Sequence, residues 1–334
     1  LPAANAGFLG DLRIDTSGIT TFAKSVYASS LNTISGADVV IQGGMMDTTG
    51  AQTYSGKIKI TDDTTMNASA LTFDQSIMGD GVSAHDLTIV AQTGDVEFGA
   101  AVGSRAAPIA VFMVTAANDT VFHDLVTVGH LETGTTGTTY FHAPKAITTS
   151  TSSMVFGNDV VVSPAVFTFN STDEGGLPVG ANITFYKTLS SQTAGLSDVV
   201  IQAGSNGQVK FLGVVGQDGN GTVGSLNSLS VVAGGGIVIQ GGMMDTIGAQ
   251  TYSGNVLLDN AVAFGTNAVR TTELRTANGN ISFGGTVNNK TTGVAEALKI
   301  STGSGNVSFL NSVGNALPAA NAGFLGDLRI DTSG

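Results

Sequence analysis

A parallel β-helix, or β-solenoid, is the fold this sequence predicts, on three observations. The composition is strand-forming material cut up by turn formers. The chain repeats itself at two scales, and a short period-two motif with an aromatic anchor recurs along it.

Charged residues make up 11% of the chain, about half the usual share, and 46 residues are Gly. Thr, Ser and Asn fill the spaces between Val, Ile, Leu and Phe, so strand formers alternate with turn formers. The net charge is −12, from 13 basic and 25 acidic residues, with no basic run that would attract nucleic acid or anionic lipid. The longest apolar stretch, Ala106 to Val114, is shorter than the roughly 18 residues of a membrane-crossing helix and contains Pro108, so no membrane span is expected. There is no Cys, which removes disulfides, thiolate metal sites and cysteine nucleophiles together.

The stretch LPAANAGFLGDLRIDTSG, Leu1 to Gly18, returns unchanged as Leu317 to Gly334, 316 residues later. Residues 1–316 therefore read as one full repeat of a tandem array, and 317–334 as the start of the next. A second copy lies inside: VIQGGMMDTTGAQTYSG, Val40 to Gly56, recurs at Val238 to Gly254 with Ile247 in place of Thr49.

The finest rhythm is an apolar residue, a polar one, an aromatic, three more residues and an aliphatic, as in LTFDQSI ending at Ile77 or ISFGGTV ending at Val287. Its anchors are Phe22, Tyr54, Phe73, Phe98, Phe122, Phe156, Phe185, Phe211, Tyr252, Phe283 and Phe309. Phe264 is a weaker member, because Ala268 stands where the aliphatic belongs. Strands such as those at Leu12, Leu87, Val199 and Leu298 precede anchors by about ten residues, across short Gly-containing links. One unit is thus strand, tight turn, strand and variable loop. Such a unit cannot bury its own apolar face, but stacked units share one core. The prediction is an all-β, right-handed solenoid of about 12 coils of about 26 residues per 316-residue repeat. The anchors would stack inward as a ladder along its axis, with Glu97, Lys210, Ser282 and Ser308 pointing out.

GAQTYSG, GNISFGGTV, GNVSFLNSVG and LGDLRI resemble the β-strand repeats of giant bacterial surface proteins, the filamentous-haemagglutinin-like and autotransporter-like adhesins. That resemblance implies an extracellular, cell-surface β-helical stalk or fibre serving adhesion, aggregation or matrix.

Candidate chemistry is sparse. Asp62 with Asp63, and Asp173 with Glu174, are adjacent pairs whose members would face opposite sides of a strand, so no catalysis is expected. His123, His130 and His142 lie near Asp124 and Glu132, but their spacing matches no compact metal motif; no metal or cofactor is expected. GQDGNGTVG, Gly216 to Gly224, occurs once and lacks the repetition of a calcium-binding β-roll. Of Met45 and Met46, and of Met243 and Met244, one is expected to fill the core and the other a groove. The widest intervals, 130–153 and 163–181, read as flank loops, where Tyr140, Phe141 and His142 could stack on a sugar. The function expected is a structural repeat of a surface fibre, with adjacent identical repeats as partners. The alternative is an adhesin module whose flank loops bind a glycan or another cell-surface ligand.

Overall fold

A computed structural model describes residues 7–34, 36, 38–148, 150–216, 224–260, 270–290, 296–314 and 325–332. Phe264 and most of GQDGNGTVG lie outside them. Among the described residues the regular structure is β throughout, apart from a 3-10 turn at Asp173–Gly175. The strands pair in parallel ladders, each with a strand roughly one coil away in sequence, which is the geometry of a β-solenoid. The chain divides into two compact units, Leu1–Ser150 and Thr151–Gly334.

The first unit carries three ladders. One runs through Met45–Thr48, Thr64–Ala68, His85–Ala91, Ile109–Ala116 and His130–Thr133. The second runs through Gln52–Tyr54, Leu71–Phe73, Val96–Phe98, Thr120–Phe122 and Thr138–Phe141. Val26–Ile34 is long enough to serve both, pairing Val26 with Met46 and Leu31 with Gln52. The third begins with Thr20–Phe22, Val39–Ile41, Ile58–Ile60 and Ile77–Met78. Alternation along each strand decides what is buried: Val96 and Phe98 are inside, and Glu97 between them is exposed.

The second unit has the same plan. Its first ladder runs from Met154–Phe156 through Ile183–Phe185, Val209–Phe211, Ile237–Ile239 and Val256–Leu258 to Val287–Asn289. Another holds Met243–Thr246, Arg270–Thr276, Glu296–Gly303 and Leu325–Thr332. The third runs from Val166–Asn170 through Asp198–Gly204, Ser228–Ala233, Gln250–Ser253 and Ile281–Phe283 to Val307–Phe309. The step between paired residues varies widely: Gln52 pairs with Leu71, whereas Val256 reaches as far as Val287.

The anchors do not form one ladder. In the first unit Tyr54, Phe73, Phe98, Phe122 and Phe141 stack nearly face to face, with centroids 5.4, 5.1, 4.9 and 5.1 Å apart. In the second unit Phe156, Phe185 and Phe211 form one stack (5.1 and 5.6 Å), and Tyr252, Phe283 and Phe309 form another on a different sheet (5.3 and 4.9 Å). Phe22 joins none of these: it is half-buried on Thr20–Phe22 and paired with Ile41.

The internal copy accounts for two of these breaks, those after Phe22 and after Phe211. Phe22 pairs with Ile41 of the first VIQ, and Phe211 pairs with Ile239 of the second. The VIQ strand takes the position beside the last phenylalanine. Its own aromatic, Tyr54 or Tyr252, arrives two strands later and starts a stack on another sheet.

Both copies fold alike. The second glycine of each GG corner takes a positive φ, +76° at Gly44 and +78° at Gly242, which a side chain rarely adopts. Met46 and Met244 are buried while Met45 and Met243 are half-buried. Gln52 and Gln250 are wholly buried, and each is saturated with hydrogen bonds. Gln52 Nε2 donates to Met46 O (2.9 Å) and Asn67 O (3.0 Å), while its Oε1 accepts from the Tyr54 hydroxyl (2.9 Å). Gln250 Nε2 donates to Met244 O (3.1 Å) and Arg275 O (2.7 Å), and its Oε1 accepts from Tyr252 (2.9 Å). Burial pushes the pKa of both tyrosine hydroxyls upward, so both remain protonated donors.

Candidate functional site

The three residues expected to stack on a sugar are separated by strand geometry. Thr138–Phe141 is a strand, with Val121 beside Tyr140 and Phe122 beside Phe141. Tyr140 is therefore half-buried on the outer face, Phe141 is fully buried, and His142 is exposed at the corner that follows. Phe141 leaves the recognition surface and becomes the last ring of the first unit's stack. A rule that requires an aliphatic four residues on passes over it, because Lys145 stands there. The available signal is spacing: Phe141 follows Phe122 by the same interval as Phe73 follows Tyr54.

The intervals read as loops are corrected in the same way. Residues 130–153 contain the strands His130–Thr133, Thr138–Phe141 and Lys145–Thr148. Residues 130–148 form a coil with a short GTTG corner. At that corner Gly137 has φ +63°, and a Cβ there would collide with the carbonyl oxygen of Asn118. Residues 163–181 begin with the strand Val166–Asn170, and the turn that follows is pinned by its own side chains. Asn170 Oδ1 accepts from Thr172 N (2.7 Å), and Ser171 Oγ both donates to Ala181 O (2.8 Å) and accepts from Ala181 N (3.1 Å). Asp173 and Glu174 occupy positive φ (48° and 53°) within this turn.

What remains outside is a row of aligned rings. The His123 and His142 centroids are 5.0 Å apart with planes 19° from parallel, and Tyr140 lies 6.4 Å from His142. His123 Nε2 is 3.0 Å from Glu97 Oε1. Partial burial, and then the neighbouring His123, hold the His142 pKa below the ordinary histidine value, so this ring is neutral at pH 7. His130 belongs to another strand, with Nε2 3.5 Å from Glu132 Oε2. Among the described residues no three His, Asp or Glu side chains are placed to hold a metal ion.

The aspartates and asparagines have a recurring structural use that period-two alternation does not reveal. Asp95 Oδ1 accepts from Asp119 N (3.0 Å), and Asp119 Oδ1 accepts from Thr138 N (2.9 Å). Asn182 does the same for Gln208 N (2.9 Å), and Asn255 for Thr286 N (3.0 Å). Each of these residues stands immediately before a strand and ties down the backbone of the next coil. The signal was legible as the Asp or Asn that opens DVEF, DTVF and NITF. Asp63 is used similarly: its Oδ1 accepts from Asp86 N (2.9 Å), while Asp62 Oδ1 accepts from Asp63 N (2.9 Å).

A shallow groove of about 330 Å³ lies along the third ladder of the first unit, between Lys57, Lys59, Met78 and Asp80. Asp80 accepts from Val82 N (2.8 Å) and Ser83 N (2.9 Å), and these amides, with smaller help from His85, hold its pKa below the usual carboxylate range. The polar side chains of both units thus serve mainly to bind one coil to the next. The chain matches no protein-family model, no curated protein and no solved structure.

Proposed function

We propose that this chain is a structural repeat of a long extracellular bacterial surface fibre or stalk, wound as a right-handed solenoid of about 12 coils per 316-residue repeat. Adjacent identical repeats are its partners, and its role is mechanical. The observation that carries the reading is the continuity of pairing. Val96–Phe98 is hydrogen-bonded along one edge to Leu71–Phe73 and along the other to Thr120–Phe122, with stacked rings on the inside. Asp95 and Asp119 add side-chain ties between the same coils. Force along such a ladder is shared by many parallel bonds and a common apolar core. The resemblance of GAQTYSG and GNVSFLNSVG to surface-adhesin repeats is the ground for the extracellular setting. Catalysis and cofactors have no part in this function.

Electron microscopy of chains carrying increasing numbers of consecutive repeats tests the proposal. Filaments of constant width should lengthen by roughly 58 Å per repeat, for coils about 4.8 Å apart. Particles that grow in width without growing in length would sink it.

A further inference from the structure

The strand LGDLRID occurs twice, and each occurrence has a different neighbour. As Leu9–Asp15 it pairs with the strand that follows it, placing Leu12 beside Leu31 and Ile14 beside Thr33. As Leu325–Thr332 it pairs with a strand that precedes it, placing Leu328 beside Leu298, Arg329 beside Lys299 and Ile330 beside Ile300. Its inward side chains are incompletely covered in both settings. Leu328 and Ile330 are 40% and 42% exposed, and Leu12 and Ile14 are half-exposed, whereas Leu31, Leu298 and Ile300 are at most 1% exposed.

A second row behaves in the same way. Phe309 is the half-buried end of the Tyr252 stack, and Phe22 is a half-buried ring paired only with an aliphatic, Ile41, on its described side. Displaced by the 316-residue period, Phe22 falls as far beyond Phe309 as Phe185 stands beyond Phe156, its partner one coil earlier. Leu328 stands as far beyond Leu298 as Leu229 stands beyond Val199, another pair on adjacent coils. Both steps are therefore single-coil steps already used inside the chain. One further coil would bring both rows into place together.

We infer that the segment Leu9–Phe22 is a two-sided docking element for a second copy of this repeat. In the seam, Leu9–Asp15 of one copy lies against Glu296–Gly303 of another, in the register that Leu325–Thr332 takes: Leu12 beside Leu298, Arg13 beside Lys299, Ile14 beside Ile300. Thr20–Phe22 then lies against Val307–Phe309, and Phe22 continues the Tyr252, Phe283, Phe309 stack. Between separate molecules the incoming strand replaces the identical Leu325–Thr332. In a tandem array the same contacts form within one chain. Open strand edges and half-covered apolar side chains, which would otherwise template unspecific association, are closed by this seam. The inference rests on the fibre reading and adds to it the partner surface and the register.

The chain contains no cysteine, so introduced thiols report the seam in the full 334-residue protein. Lys299→Cys and Arg13→Cys variants, mixed and oxidised, should give a cross-linked dimer, since neighbouring strands about 4.8 Å apart bring Cα atoms within disulfide reach. Lys299→Cys mixed with Asp11→Cys should not, because a two-residue offset of about 6.6 Å along the strand carries the pair beyond about 7 Å. Adding Phe22→Ala to the in-register pair should lower the cross-linked fraction about two- to tenfold. Absence of the in-register dimer, or equal cross-linking out of register, overturns the seam. Filaments formed by multi-repeat chains without that register would overturn the seam alone, while loss of the filaments themselves would overturn the fibre reading.

Discussion

Gln52 and Gln250 show how one residue type can hold a fold together without adding apolar area. Each amide is sealed in the core, donates to two or more acceptors and accepts from a tyrosine hydroxyl. A buried group of this kind is worth little while paired but costs about 1–3 kcal/mol when its partner is removed. Tyr252→Phe, which leaves Gln250 Oε1 unpaired, should therefore destabilise the second unit by about that amount. Gln250→Leu should cost at least as much, because it strands the Tyr252 hydroxyl and the carbonyls of Met244 and Arg275. The double variant should cost less than the sum of the two, since the shared bond is lost only once. Thermal unfolding of the four proteins checks this, and strict additivity would mean that the tyrosine and the glutamine act independently.

At the scale of an element, the strands are short and none buries enough by itself. A three-residue strand such as Val96–Phe98 is held by its neighbours on both sides, and its ring sits between two others. In a ladder of this kind a defect spreads mainly to the coils it touches. Phe98→Ala should cost about 3–5 kcal/mol locally, because the cavity it leaves lies between rings that cannot close on it. Amide exchange in Leu71–Phe73 and Thr120–Phe122 should accelerate by about a hundredfold or more, with little change in the second unit. Phe309→Ala, at the half-buried end of its stack, should cost much less. Equal protection loss at both sites would contradict this local picture.

At the scale of the whole molecule, the charge is sparse and one-sided. Repulsion from the net charge of −12 at pH 7 opposes unspecific association of copies, and the end-to-end seam must overcome it with its paired strands and apolar contacts. As the pH falls toward the isoelectric point near 4.5, carboxylates protonate and this repulsion disappears. Light scattering followed against pH should rise near pH 4.5 and fall again toward pH 7. A flat profile would mean that charge repulsion does not control association.

The sequence by itself determined that this protein is built of short strands with one buried face. Period-two alternation sets the face of each residue, and the Asp or Asn that opens NITF and DVEF sets where a coil is tied to the next. It also determined that the GG corners and the buried Gln–Tyr pair occur twice, since their identical residues fold identically. Only the tertiary structure decided which sheet each ring joins. Alternation distinguishes inside from outside but does not count corners. With coil steps as unequal as Gln52 to Leu71 and Val256 to Val287, the corner count between two anchors is a non-local property. That is why Phe22 stands beside Ile41 rather than in the line of Tyr54, and why Phe211 and Tyr252 belong to stacks on different sheets.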